Sequence, residues 1–152
     1  MQTHADFITL ATTDLDAARS FYVDGLGWTP TLDVPDEIIF FQVGHGTMLG
    51  LFSAPKFADD LGSPESAVTP VTGVTLSHNV SSAAEVDRVI AQGLAAGATL
   101  VKSPQQASFG GYHGHFADPN GVIWEIAYNP GWAVAADGTV RLDAVAPGEG
   151  AP

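Results

Sequence analysis

The sequence predicts an α+β fold built from two βαβββ modules. Three observations carry this expectation. Strand-like and helix-like segments run β-α-β-β-β twice along the chain, short residue matches recur between the two halves in chain order, and a strong turn signal, Asp118-Pro119-Asn120-Gly121, separates two alternating β-favouring runs near the end. At 152 residues the chain is long enough for one domain with a full core and too short for two independent ones.

The first module is expected over residues 6–53. Asp6 to Thr12 is β-rich, and Thr13-Asp14-Leu15-Asp16 supplies capping groups for a helix through Ala17-Ala18-Arg19-Ser20-Phe21-Tyr22. Gly25-Leu26-Gly27 ends that helix. Trp28 to Val34 reads as a second strand, with Pro30 favouring an edge or an irregular start. Glu37 to Val43 and Thr47 to Ser53 read as a hairpin around Gly44-His45-Gly46.

Residues 54–72 form a connector with Pro55, Gly62, Pro64 and Pro70 and a short helix near Lys56 to Leu61. The second module, residues 73–129, opens with a strand at Val74 to Val80. Ser81-Ser82-Ala83-Ala84-Glu85 then enters a helix to about Ala96, which Gly97 ends. Thr99 to Lys102 is the next strand, Ser103 to Phe109 a loop, and Gly110 to Tyr128 the hairpin. Residues 1–130 are thus one domain, and 131–152 a C-terminal extension with a turn at Asp137-Gly138, a short strand at Thr139 to Leu142 and a tail expected to be disordered after Val145.

The repeat is visible in the residues. Ile8-Thr9-Leu10 matches Val74-Thr75-Leu76, Ala17-Ala18 matches Ala83-Ala84, and Leu26-Gly27-Trp28-Thr29 matches Ala96-Gly97-Ala98-Thr99. In the hairpins Phe41 matches Phe116, Gly46 matches Gly121, and Gly50 falls opposite Glu125.

Composition narrows the partners. Seventeen acidic against five basic residues give a net charge of −12, so no basic surface is available to neutralise a row of phosphates, and nucleic acid and anionic membranes are poor partners. A neutral or cationic ligand is easier to accept than an anionic one. There is no cysteine, which removes disulfides, thiolate metal sites and cysteine nucleophiles and agrees with a cytoplasmic location. The N-terminus lacks the pattern of a signal peptide, and no apolar run reaches membrane-spanning length.

The chemistry concentrates in the last hairpin. His113 and His115 lie two apart on one run and Glu125 on the other, so the three share a sheet face if His115 pairs opposite Glu125, and a one-residue slip would separate them. Glu125 stands among apolar neighbours, and a carboxylate buried there needs a partner. The pair of histidines reads as hydrogen-bonding cavity residues, as two ligands of a metal triad with Glu125, or as solvated residues near a turn. His78 is expected to face a helix or rim, and His4 and His45 solvent. Trp28, Trp124, Phe40, Phe41, Phe52 and Phe116 are expected mostly to pack in the core, and those that face the cup to stack on a flat ligand instead.

Asp14-Leu15 followed by Phe21-Tyr22 and Leu26-Gly27-Trp28, together with Phe116-Ala117-Asp118-Pro119-Asn120-Gly121 followed by Trp124-Glu125, resembles the vicinal oxygen chelate superfamily. This family includes glyoxalase I, bleomycin-resistance proteins, fosfomycin-resistance enzymes and extradiol dioxygenases. The resemblance covers Asp6 to Tyr128 and implies paired modules forming an open, cup-shaped mixed β-sheet, usually in a homodimer.

Metal-dependent members hold a divalent ion on four inward positions, which fall here on Phe7, Gly50, Val74 or Thr75, and Glu125. Only Glu125 is a ligand type, so the resemblance implies a protein without cofactor that binds a small molecule in the cup, in the manner of bleomycin-resistance proteins. The alternative is a glyoxalase-type lyase or isomerase, or a dioxygenase, using Glu125 with His113 and His115 as a nonstandard metal or acid/base site, with Glu125 and His115 catalytic. The expected ligand-binding residues are Phe7, Thr9, Met48, Gly50, Phe52, Thr75, Ser77, Asn79, His113, His115 and Glu125. Gly50 is expected to leave room where relatives place a ligand side chain.

Overall fold

A computed structural model describes residues 5–62, 73–107 and 110–142. His4, Pro64, Pro70, Phe109 and the tail after Val145 lie outside the described residues, so the expectations placed on them are not addressed by the structure.

Two four-stranded mixed sheets carry the fold. In the first, β1 (Phe7–Thr12), β2 (Leu32–Val34), β3 (Ile38–Gly44) and β4 (Thr47–Ser53) lie in the order β1-β4-β3-β2, with β1 parallel to β4 and the remaining pairs antiparallel. Helix α1 (Leu15–Arg19) runs on into six residues of π-helix, Ser20–Gly25, and α2 (Ala54–Asp60) follows β4. The second sheet repeats the plan. Its strands β5 (Thr75–Asn79), β6 (Thr99–Gln106), β7 (Tyr112–Ala117) and β8 (Ile123–Tyr128) lie in the order β5-β8-β7-β6, with helix α3 (Ala83–Ala95) after the first of them. A small hairpin, β9 (Trp132–Val134) and β10 (Val140–Leu142), closes the described chain. Among the described residues no helix is long and apolar enough to cross a membrane.

Local chemistry explains the boundaries. Asp14 Oδ1 accepts from the Ala17 N–H at 2.8 Å and Ser82 Oγ from the Glu85 N–H at 3.2 Å, so each module caps its helix from the side chain before it. The helices end alike. Gly27 at φ 74° and Gly97 at φ 105° take the left-handed conformation that lets the chain turn back, which explains the Leu-Gly and Ala-Gly match in the sequence.

Each sheet has one covered face, and the two covered faces share a core. Leu10, Ile39, Phe41, Leu49 and Leu51 of the first sheet join Phe116, Trp124 and Ile126 of the second, with Phe21, Tyr22, Val86 and Ile90 of the helices between them. Phe21 meets Phe116 edge-on with centroids 6.1 Å apart, and Trp28 meets Trp124 at 5.6 Å. Trp124 Nε1 donates to the Tyr22 hydroxyl at 2.9 Å, which donates to Asp118 Oδ2 at 2.8 Å. Asn120 Oδ1 also accepts from the Asp14 N–H at 2.9 Å. The sequence signatures therefore fasten the helix of one module to the hairpin turn of the other.

Three expectations are corrected. The strand expected over Trp28 to Val34 is only Leu32–Val34, because the Trp28 N–H donates to the Tyr22 carbonyl to close the helix and its ring packs against Tyr22 and Phe41. The strand expected to end at Lys102 runs to Gln106, passing Pro104 through two register shifts that an edge strand tolerates. Phe40 is not a core residue: it lies half-buried on the uncovered face of the first sheet and packs on Phe7, while Phe52 lies on that same face, as expected of a cup-facing residue, and packs on Phe57.

Candidate functional site

Alternation along β7 sends Tyr112, Gly114 and Phe116 to the covered face and His113, His115 and Ala117 to the other. In the register His115 lies opposite Glu125, Glu125 is flanked on its other side by Ser77, and Lys102 lies opposite His115. All four strands of the second sheet thus contribute one polar side chain or more to a single uncovered patch.

These side chains are wired together. Ser77 Oγ donates to Glu125 Oε2 at 2.8 Å, His113 Nδ1 lies 2.8 Å from Glu125 Oε1, and Lys102 Nζ lies 2.8 Å from His113 Nε2. An ammonium can only donate, so the imidazole with its proton on Nδ1 satisfies both contacts: Nε2 accepts from Lys102 and Nδ1–H donates to Glu125. The order Lys102, His113, Glu125, Ser77 is one continuous hydrogen-bonded chain.

His115 stands beside it. Its Nε2 is 3.6 Å from Glu125 Oε1, too far for a hydrogen bond, its ring meets that of His113 with centroids 5.3 Å apart, and its Nδ1 is buried without a partner. Burial is the main cause that holds His115 below the usual histidine range, partly offset by the Glu125 charge. For Glu125 burial acts upward, but the hydrogen bonds from His113 and Ser77 outweigh it and hold the carboxyl below its ordinary value. The patch at neutral pH therefore holds a carboxylate, a neutral His115 and a lysine donated to a histidine.

The other expected ligand-binding residues divide between the sheets. Thr75, Ser77 and Asn79 share the uncovered face of the second sheet with the cluster. Phe7, Thr9, Met48, Gly50 and Phe52 share the uncovered face of the first, which lies on the far side of the common core, so one chain does not bring the two groups together. The Phe40 ring lies over Gly50, where a Cβ would stand 3.1 Å from Phe40 Cε1 and 3.3 Å from Thr9 Oγ1. A cavity of about 820 Å³ opens between the modules on the covered side, where His78, Arg88 and Gln92 join Trp28, Leu76 and Trp124. Of the expected ligand-binding residues only Thr75 and Ser77 border it.

The four positions at which metal-dependent relatives hold an ion do not fit one here, because Phe7, Gly50 and Val74 or Thr75 offer no ligand beside Glu125. His113, His115 and Glu125 do each present a ligand atom within 4.8 Å of the others. In that group, however, the His113 Nδ1 proton already points at Glu125, and the Lys102 ammonium stands on the same ring. A cation would have to displace both contacts.

Lys102 was not among the expected site residues. The chain has only two lysines and this one lies in the strand expected over Thr99 to Lys102, but its place opposite His115 follows a register shift after Leu100 that simple alternation does not give.

The family model for the glyoxalase/bleomycin resistance protein/dioxygenase superfamily matches residues 4–126. No curated protein matches the chain. Among solved structures, a glyoxalase-related enzyme from Fulvimarina pelagi is 38% identical, with a TM-score of 0.83 over 94% of this chain and 100% of that one. A glyoxalase/bleomycin resistance protein/dioxygenase from Nocardioides is 24% identical, with a TM-score of 0.70 over 99% and 91%. A lactoylglutathione lyase from Agrobacterium tumefaciens is 23% identical, with a TM-score of 0.61 over 84% and 94%, and these last two likenesses show the fold alone. The chain belongs to the glyoxalase/bleomycin resistance protein/dioxygenase superfamily.

Proposed function

We propose that this protein binds a small, neutral organic molecule against the uncovered face of the second sheet, and that it does so without a metal ion, in the manner of the bleomycin-resistance proteins. The observation that carries this reading is the closed chain Lys102–His113–Glu125–Ser77, in which protein donors already engage both Glu125 oxygens and a positive charge stands where a metal would be repelled. The carboxylate then serves a ligand as an acceptor, and the half-buried ring of His115 as one wall.

Two copies of the chain complete the surface in this reading. Strands β1 and β5 are edges of their sheets, and Phe7 and Val74 on or beside them are 50% and 46% exposed, apolar surface that pairing with a second copy would cover. A cytoplasmic homodimer agrees with these edges and with the absence of cysteine.

A second reading, an enzyme of the lyase or isomerase type, is favoured by the relay itself, since a base held by a carboxylate is the arrangement that proton transfer needs. Metal analysis of protein purified without chelator, followed by a thermal-shift screen of small organic molecules, tests the first reading. The expected result is no stoichiometric metal and at least one stabilising compound whose effect weakens in Glu125→Gln. Stoichiometric zinc, iron, nickel or manganese that disappears in His113→Ala would overturn it.

A further inference from the structure

We propose that Lys102 is a carbonyl-reactive nucleophile, and that the ligands of this face are aldehydes or ketones captured reversibly as an iminium on its Nζ. This deepens the reading above and rests on the uncovered face of the second sheet being a binding surface. The chain's two lysines differ in their partners. Lys56 donates to the Glu37 carboxylate at 2.7 Å in an exposed ion pair. Lys102 makes no ion pair with a carboxylate among the described residues; at 2.8 Å it meets His113 Nε2, the lone pair of a neutral base. The other nitrogen of that base is held at 2.8 Å by Glu125, which Ser77 fixes in turn. A nucleophile within hydrogen-bond reach of a base, the base oriented by a carboxylate, is the arrangement by which proteins activate an amine or hydroxyl.

The step balances with these groups alone. His113 Nε2 takes a proton from the Lys102 ammonium, and the imidazolium is stabilised by Glu125. The freed Nζ lone pair forms a C–N bond to the carbonyl carbon, the C=O π pair moves to oxygen, and His113 returns the proton to that oxygen. His113 then removes a second proton from the nitrogen and delivers it to the hydroxyl, which leaves as water while the nitrogen lone pair closes the C=N bond. The products are one iminium and one water, and no oxidant or reductant takes part. Lys102 is the group that touches the substrate, His113 the base, and Glu125 a positioning residue. A neutral carbonyl compound also suits an acidic protein, which disfavours anions.

The test is reductive trapping with butanal and sodium cyanoborohydride at neutral pH on the full chain, read by peptide mass spectrometry. The expected result is one butyl group on Lys102 well before Lys56. Replacing His113 by Gln should slow labelling of Lys102 on the order of a hundredfold, the effect of losing a positioned base, while Lys56 labels at an unchanged rate and reports an intact fold. Glu125→Gln should slow Lys102 by a smaller factor. Equal labelling of the two lysines in the wild-type protein, or a His113→Gln protein that labels Lys102 as fast as the wild type, would overturn the proposal. Selective labelling of Lys102 in a protein that also carries stoichiometric metal would support the lysine chemistry and refute metal independence. Stabilisation by compounds without a carbonyl group, together with equal labelling, would do the reverse.

Discussion

The Tyr22 hydroxyl donates to Asp118 Oδ2 at 2.8 Å across 96 residues of chain, and it is the buried joint between the two modules. Burial and the Asp118 charge push the Tyr22 phenol well up, so it remains a donor, and it also accepts from Trp124 Nε1. Replacing Tyr22 by Phe keeps the ring and removes both bonds. The expected loss is about 1–3 kcal/mol, the usual penalty for leaving buried polar groups unmet, measured by urea denaturation of wild type and variant.

Acid should weaken the site before it weakens the joint. His115 lies below its unfolded value, so its contribution is complete above about pH 6.5 and is lost as pH falls through the folded value. Glu125 is also depressed, and its contribution disappears lower, as pH falls below the ordinary carboxylate range. Asp118 has the opposite sign: burial raises it, so acidification favours its folded state and offsets part of the loss. His115→Gln should therefore show a shallower fall in unfolding free energy than wild type between neutral pH and about pH 5, measured by denaturant titration at each pH.

Gly114 allows β6 to approach β7 at the proline. A Cβ there would stand 3.0 Å from Pro104 N and 3.1 Å from the Lys102 carbonyl oxygen, and these are backbone atoms that cannot swing aside. Gly114→Ala is expected to destabilise the protein by about 1–3 kcal/mol and to shift Lys102 off His113. Calorimetry reads the first effect, and labelling of Lys102 relative to Lys56 reads the second.

If the free edges pair between copies, charge should open them. Phe7→Asp and Val74→Asp are each expected to shift the protein toward monomer in sedimentation velocity, whereas Leu61→Asp, at another exposed apolar residue, should leave association unchanged. Wild-type protein that is monomeric at micromolar concentration would refute the homodimer.

The sequence by itself determined the two modules and their helix caps, and it put His113, His115 and Glu125 on one face only under the register in which His115 meets Glu125. The caps follow from local rules, because the groups that Asp14 and Ser82 satisfy are three residues away, whereas the register that joins the three side chains is read from the pairing of β7 with β8. Tertiary structure alone decided three other matters. It shifted the register of β6 after Leu100 and so set Lys102 opposite His115 and within reach of His113. It filled the space over Gly50 with Phe40, a neighbour supplied by pairing between strands. It also joined the modules through their covered faces, leaving Phe7 to Phe52 and Ser77 to Glu125 on separate surfaces, because how two sheets share a core depends on side-chain packing across the whole chain rather than on the period of any segment.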